Sequence, residues 1–138
     1  MLRFRAAGVA CACDLTAVRE IVKGRALARL PGAPEWVRGI MNLRGTLLTV
    51  VDLTVRLGGA ADAVPRVVMV VEGAGKRFGI GVESVQGVAE LAVESLEGVD
   101  DQRSAGGVVS GLAHFTEAEG GTAQLCEVDA IARDALSP

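Results

Sequence analysis

The chain has 138 residues, half of them hydrophobic, 22% charged and 3% aromatic, with 18 glycines and a formal charge of −3. That length fits one domain or two very small ones, and 20 valines supply enough branched aliphatic surface for a core without disulfides or metal, which excludes global disorder. No apolar run reaches the roughly 18–20 residues that span a bilayer.

The start Met1-Leu2-Arg3-Phe4-Arg5 lacks the apolar stretch of a signal peptide, and the odd cysteine set Cys11, Cys13 and Cys126 contains no Cys-x-x-Cys pair. Both features predict a soluble protein of the reducing cytoplasm, with no direct membrane insertion. Charge is unevenly spread. Residues 1–57 carry nine Lys or Arg against four Asp or Glu, a net +5, and residues 58–138 carry five against thirteen, a net −8. Such a split steers an association unless the two halves interleave and cancel it.

Val, Ile and Thr at short spacing, broken by Gly, Pro and Asp, predict strands of about five residues and a mainly β fold. Strands at 2–6 and 9–13 flank Ala7-Gly8, a tight hairpin turn. Asp14 then caps one helical turn through Val18, and Glu20-Ile21-Val22 resumes the extended pattern. Pro31-Gly32-Ala33-Pro34 is a loop, because neither proline donates an N–H and Gly32 loosens the backbone. Strands at 38–43 and 46–51 follow, separated by Arg44-Gly45, and 52–57 forms a helical turn ended by Gly58-Gly59. The Ala-rich stretch 58–64 is the expected internal boundary.

A second hairpin spans 66–72 and 76–82 around Gly73-Ala74-Gly75, and further strands are expected at 85–91, 108–115 and 122–128, with a polar, acidic loop at 94–106. Asp129 is expected to cap a short helix at 130–136 that docks on the rest of the fold. The halves repeat in order. Gly39-Ile40-Met41 corresponds to Gly111-Leu112-Ala113, and Val51-Asp52-Leu53 to Cys126-Glu127-Val128. A repeat of 60–70 residues in this chain predicts two similar small barrels rather than a solenoid, whose units run about 20–50 residues.

Residues capable of chemistry do not assemble into a catalytic pattern. His114, the one histidine, lies in an alternating strand and reads as a buried or edge residue rather than a triad base. Cys11 and Cys13 point to one face as small core residues and lack further zinc ligands. Gly73-Ala74-Gly75-Lys76 begins like a phosphate loop, but no Ser or Thr follows the lysine and strands flank it, so it is a hairpin tip. The acids Glu90, Glu94, Glu97, Asp100 and Asp101 read as a solvated face. Three Phe, one Trp, no Tyr and a negative total disfavour nucleic acid, although the basic first half keeps a small β-barrel binding nucleic acid or a ligand as the reading from another class. No catalytic residue, metal or cofactor is expected.

The segment from Pro34 to Leu53 concentrates two glycines, an arginine at a turn and a buried-looking strand. Arg44, between Leu43 and Gly45, can offer its fork of donors to a partner's carboxylate or carbonyls, or simply be a solvated turn residue. With its Gly, its Asn42-Leu43-Arg44-Gly45 turn and its apolar strand ending in Asp52, this segment resembles the signature of the CheW family, the adaptors of bacterial chemotaxis arrays. The resemblance continues through Phe4, Val18-Arg19-Glu20-Ile21, the 31–34 loop, Gly79-Ile80-Gly81-Val82 and Val85-Gln86-Gly87-Val88. Thr49 departs from it, standing where the family usually has proline.

What the resemblance implies is an all-β fold of two five-stranded β-barrel subdomains, at about 1–58 and 65–128, with short helical turns and a terminal helix at about 129–136 packed on the barrels. It implies a non-catalytic adaptor that bridges the cytoplasmic tip of chemoreceptors and the regulatory domain of the histidine kinase CheA, with other CheW-like subunits as further partners. It carries a receptor-facing surface onto Val18, Glu20, Gly39, Asn42, Leu43, Arg44 and Leu47, and names no kinase-docking residue. Arg44 and Glu20 would orient the receptor or brace one another, Asn42 would hold the turn, Val18, Leu43 and Leu47 would offer apolar area, and Gly39 would permit close backbone approach. The alternative within the family is a divergent member that binds receptors or its own kind without the kinase.

Overall fold

The computed structural model describes residues 1–62, 64–88, 95–100, 106–115 and 121–136. In chain order the elements are β1 (Leu2–Ala6), β2 (Val9–Cys13), a 3-10 turn (Leu15–Ala17), β3 (Val18–Lys23), β4 (Val37–Leu43), β5 (Thr46–Asp52) and α1 (Leu53–Arg56). The second half holds β6 (Val67–Gly73), β7 (Lys76–Val82), β8 (Ser84–Val88), β9 (Ser95–Glu97), β10 (Val109–His114), β11 (Thr122–Cys126) and a terminal helix, α2 (Val128–Leu136).

Three hairpins, β1–β2, β4–β5 and β6–β7, close through two residues of positive φ. These are Ala7 and Gly8 (53° and 74°), Arg44 and Gly45 (51° and 86°), and Ala74 and Gly75 (50° and 76°). Positive φ at both central positions is the turn geometry whose twist matches that of the flanking strands. Only one of the two positions in each turn is glycine, so Ala7, Arg44 and Ala74 are held in a region that side chains disfavour.

The strands form two sheets, ordered β8-β1-β2-β11-β10-β9 and β3-β6-β7-β5-β4. Neither sheet closes into a barrel through strand pairing among the described residues, which corrects that part of the expectation. The sheets also do not divide at 58–65. The first hairpin lies in the sheet of the C-terminal strands, β2 running parallel to β11, and the β6–β7 hairpin lies in the sheet of β3, β4 and β5, with β7 parallel to β5. Parallel partners are joined by long crossovers, so nothing local in the sequence announces them.

The sequence repeat is real in register. Val37 pairs with Val51 and Gly39 with Val50 across a bulge; Val109 pairs with Cys126 and Gly111 with Leu125 across the same bulge. Ala28 bridges Ile40 as Glu97 pairs with Leu112. Each repeat has therefore given its first hairpin to the other's sheet. The interleaving also brings opposite charges together, through Arg19 with Glu72 and Arg56 with Asp134, so part of the charge asymmetry cancels in space.

The main core lies between the sheets and contains Phe4, Leu53, Met69, Phe78, Ile80 and Ile131, with all three cysteines. Burying a side chain the size of Phe4 or Phe78 contributes about 1.5–3 kcal/mol. A second cluster, Met41, Leu43, Leu48, Val50, Val68 and Val70 with Val22, fills the other face of the five-stranded sheet. It joins residues of both edge strands, β3 and β4, so this sheet curls around its own small interior. Ala12, Ala113, Phe115 and Ala123 form the corresponding smaller cluster of the second sheet.

Several local expectations are revised. Part of the expected 94–106 loop is β9, which finds its partner only when β10 folds against it; residues 94 and 101–105 of that loop lie outside the described residues, as do 89–91 of the strand expected at 85–91. The last strand ends at Cys126, and Val128 already belongs to α2. Asp129 sits in the first turn of α2, where its carboxylate accepts the Ala74 N–H at 2.8 Å and fastens the helix to the β6–β7 turn. Lys76, in the sequence that begins like a phosphate loop, donates from Nζ to the Leu136 carbonyl at 3.0 Å and so satisfies an orphan group at the C-terminal end of α2.

Candidate functional site

The Asn42-Leu43-Arg44-Gly45 turn stands at the open end of the curled five-stranded sheet. Arg44 is exposed and its backbone is left-handed, with φ 51°. Asn42 makes that conformation tenable, because its Oδ1 accepts the Gly45 N–H at 2.8 Å. The Arg44 guanidinium then reaches Glu20 on β3, donating from Nη1 to Oε1 at 2.7 Å and from Nη2 to Oε2. This two-pronged pair holds the Glu20 carboxyl below the usual carboxylate range, with Arg25 and Arg77 adding to the field.

The other residues singled out from the sequence divide between surface and interior. Leu47 is 68% exposed on the outer face of β5, directly opposite Asn42, and is the most exposed large apolar side chain among the described residues. Leu43 points inward with Leu48 and Val70, so its apolar area belongs mainly to the sheet's interior. Val18 packs partly against the main core. Gly39 is buried with φ 143°, and a Cβ there would lie 2.3 Å from the Ala28 carbonyl oxygen. The close approach that Gly39 permits is thus within the chain, where Ala28 and Ile40 exchange backbone hydrogen bonds of 2.8 and 2.9 Å.

Two features escaped the sequence reading. Arg19, the bulged residue of β3, and Arg77 of β7 both donate to Glu72, at 3.2 Å and 2.6 Å, beside the Arg44–Glu20 pair. Their hydrogen bonds, Arg77 first, keep the Glu72 carboxyl low. No sequence spacing relates residues on three different strands. Farther along the hairpin, Arg38 donates to Asp52 at 2.6 Å and to the Asp62 carbonyl at 2.7 Å, while Asp52 accepts the Val55 N–H and caps α1. The repeat equivalent is a weaker copy, in which Ser110 donates to Glu127 at 2.6 Å.

His114, partly buried on β10, lies between the exposed residues Thr122 (3.0 Å) and Glu97 (3.1 Å). Cys11, Cys13 and Cys126 are buried free thiols. Among the described residues, no three His, Cys, Asp or Glu gather in a way that could hold a metal ion. Among them, too, no helix is long and apolar enough to cross a membrane. Glu90, Glu94 and Asp101 lie outside the described residues.

With the fold and the turn in place, comparison with known families aligns the CheW-like domain with residues 1–136. The chain belongs to the CheW-like family. The CheW-like chain is 29% identical over 103 residues to the chemotaxis protein CheW of Rhizobium meliloti, an alignment covering 73% of this chain and 66% of that protein. It is 32% identical over 94 residues to the protein PilI of Pseudomonas aeruginosa, covering 67% of this chain and 53% of that one. The matches thus span slightly less than two thirds, and about half, of these relatives' own lengths. In structure it resembles the scaffolding protein TtCheW of Thermoanaerobacter tengcongensis, with a TM-score of 0.77 and 26% identity over 92% of this chain and 87% of that one.

Proposed function

We propose that this CheW-like chain is a coupling adaptor in a chemosensory pathway, one that binds the cytoplasmic tip of chemoreceptors and the regulatory domain of the histidine kinase CheA, with other CheW-like subunits as additional neighbours. It works in the cytoplasm and by contact alone, making and breaking no covalent bond. The observation that carries this reading is the Arg44 turn, an exposed arginine held at positive φ by Asn42 and aimed by a two-pronged pair with Glu20. Ala7 and Ala74 hold the same positive φ in the other two hairpins, so the turn geometry serves the fold, and what is particular to this turn is the exposed, aimed guanidinium that it carries, a group suited to presentation to a partner.

In this reading Arg44, Glu20 and Leu47 make direct contact, Asn42 shapes the turn, and Gly39, Leu43 and Val18 hold the strands that carry it. Leu47 supplies exposed apolar area beside the charged pair, a combination suited to a contact with an apolar centre and a polar rim. Co-sedimentation of the full chain with receptor-tip fragments, and separately with the CheA regulatory domain, tests the proposal. Saturable binding to both is expected. Binding to the receptor alone would make the chain a receptor-side adaptor that does not hold the kinase, and binding to neither would remove the proposal.

A further inference from the structure

Beside the Arg44–Glu20 pair, the open end of the curled sheet forms a concavity of about 160 Å³ lined by Arg19, Glu20, Leu43, Arg44, Thr46, Leu48, Val70 and Arg77. Its charge does not balance. Three guanidiniums, from Arg19, Arg44 and Arg77, face two carboxylates, Glu20 and Glu72. Both oxygens of Glu20 are taken by Arg44, and Glu72 is shared between Arg77 through Oε1 and Arg19 through Oε2. Arg77 uses Nε and Nη2 on Glu72, leaving Nη1 without a protein partner among the described residues. The floor is apolar, made by Leu43, Leu48 and Val70.

We infer that this concavity receives a glutamate side chain from the protein partner, the carboxylate completing the three-arginine rim and the methylene stem lying on Leu43, Leu48 and Val70. A carboxylate supplies the missing negative charge and accepts in the planar, two-oxygen geometry that guanidinium forks match. A free inorganic anion would satisfy the rim but leave the apolar floor wet, whereas a glutamate uses both. The volume accommodates one such side chain and not a helix, so the site reads a single residue within a larger contact. This assignment deepens the adaptor reading and rests on it only for the partner's identity, and it adds Arg19 and Arg77 as specificity-determining residues.

Two measurements on the full chain separate the outcomes. In the first, arginine Nε–H signals are followed by NMR during titration with a short glutamate-rich peptide and, in parallel, with inorganic phosphate. The signals of Arg19, Arg44 and Arg77 are expected to shift saturably with the peptide at concentrations where phosphate at equal ionic strength shifts them little, and Arg77→Gln is expected to abolish the effect. Uniform shifts of all arginines, or equal shifts with phosphate, would overturn the inference. In the second, Arg77→Glu is expected to weaken binding to a receptor-tip fragment roughly tenfold, with a loss of only a few degrees in melting temperature as the new carboxylate faces Glu72 across the β6–β7 pair. Wild-type binding that Arg77→Glu leaves unchanged would overturn the glutamate site while the adaptor role stood. Absence of wild-type binding would remove the adaptor role, and the peptide titration would still decide the site.

Discussion

Arg44 and Glu20 belong to opposite edges of the five-stranded sheet, yet their side chains meet in a two-pronged ion pair. No strand pairing joins β3 to β4 among the described residues; the sheet is drawn round by the apolar cluster that both edges share, and the pair closes its rim. The same two groups that finish the curl are the ones offered to solvent, which makes the rim both a clasp and a surface.

Arg44→Ala is expected to weaken binding to a receptor-tip fragment roughly tenfold. The melting temperature should move by less than about 2 °C, since exposed ion pairs contribute little to stability. Arg44→Gly sharpens the test because glycine accepts the positive φ more readily, so this variant should be at least as stable as the parent while binding as poorly as the alanine variant. Unfolding of Arg44→Ala in a calorimetric scan would show that the arginine is there for the fold.

Gly39→Ala should cost about 2–4 kcal/mol in urea denaturation, because the new methyl must displace the Ala28 backbone and the φ of 143° suits no other residue. A loss below about 0.5 kcal/mol would mean that the 24–36 segment shifts freely and that the Ala28–Ile40 bridge does not matter.

The two acids that end corresponding strands should differ sharply in importance. Asp52 is only 4% exposed, pairs with Arg38 and caps α1, so Asp52→Ala removes both the cap and the carboxylate partner of a largely buried guanidinium that keeps its bond to the Asp62 carbonyl, and should cost about 2–4 kcal/mol. Glu127 is exposed and, among the described residues, its carboxylate accepts only from a serine hydroxyl, so Glu127→Ala, which leaves its backbone bonds in place, should cost less than about 1 kcal/mol. Equal losses in parallel denaturation curves would refute the argument from burial.

Burial first, with Asp14 beside it, pushes the Cys13 thiol from its ordinary 9.0 up to about 12. A pKa raised by folding contributes stability that is whole below the unfolded value and is lost as pH rises toward the folded one. Stability should therefore fall between about pH 9 and 12, and Cys13→Ala should flatten that decline. Identical pH slopes for parent and variant, measured by chemical denaturation, would count against a buried, neutral Cys13.

Alternation of small branched residues placed nearly every strand within a residue or two of its observed bounds, and Gly after Ala or Arg located the three hairpin turns, because strand pleat and turn geometry are settled by neighbours in the chain. The repeat was also readable, in the correspondence of Gly39 with Gly111 and of Asp52 with Glu127, whereas the bulge that both copies share emerged only from the strand pairing. Arg44 stood out as an arginine between two strands, and Asn42 through the resemblance of the Asn42-Leu43-Arg44-Gly45 turn to the CheW signature.

The exchange of hairpins between repeats was not readable, nor was β9, nor the gathering of Arg19, Glu72 and Arg77 with the Arg44–Glu20 pair. Parallel pairing and ion pairs between distant strands depend on which apolar faces bury one another, and that free energy is indifferent to order along the chain. Gly39 shows the division in one residue: that it permits close backbone approach was expected, but that the approaching group is the Ala28 carbonyl of the same chain follows only from packing.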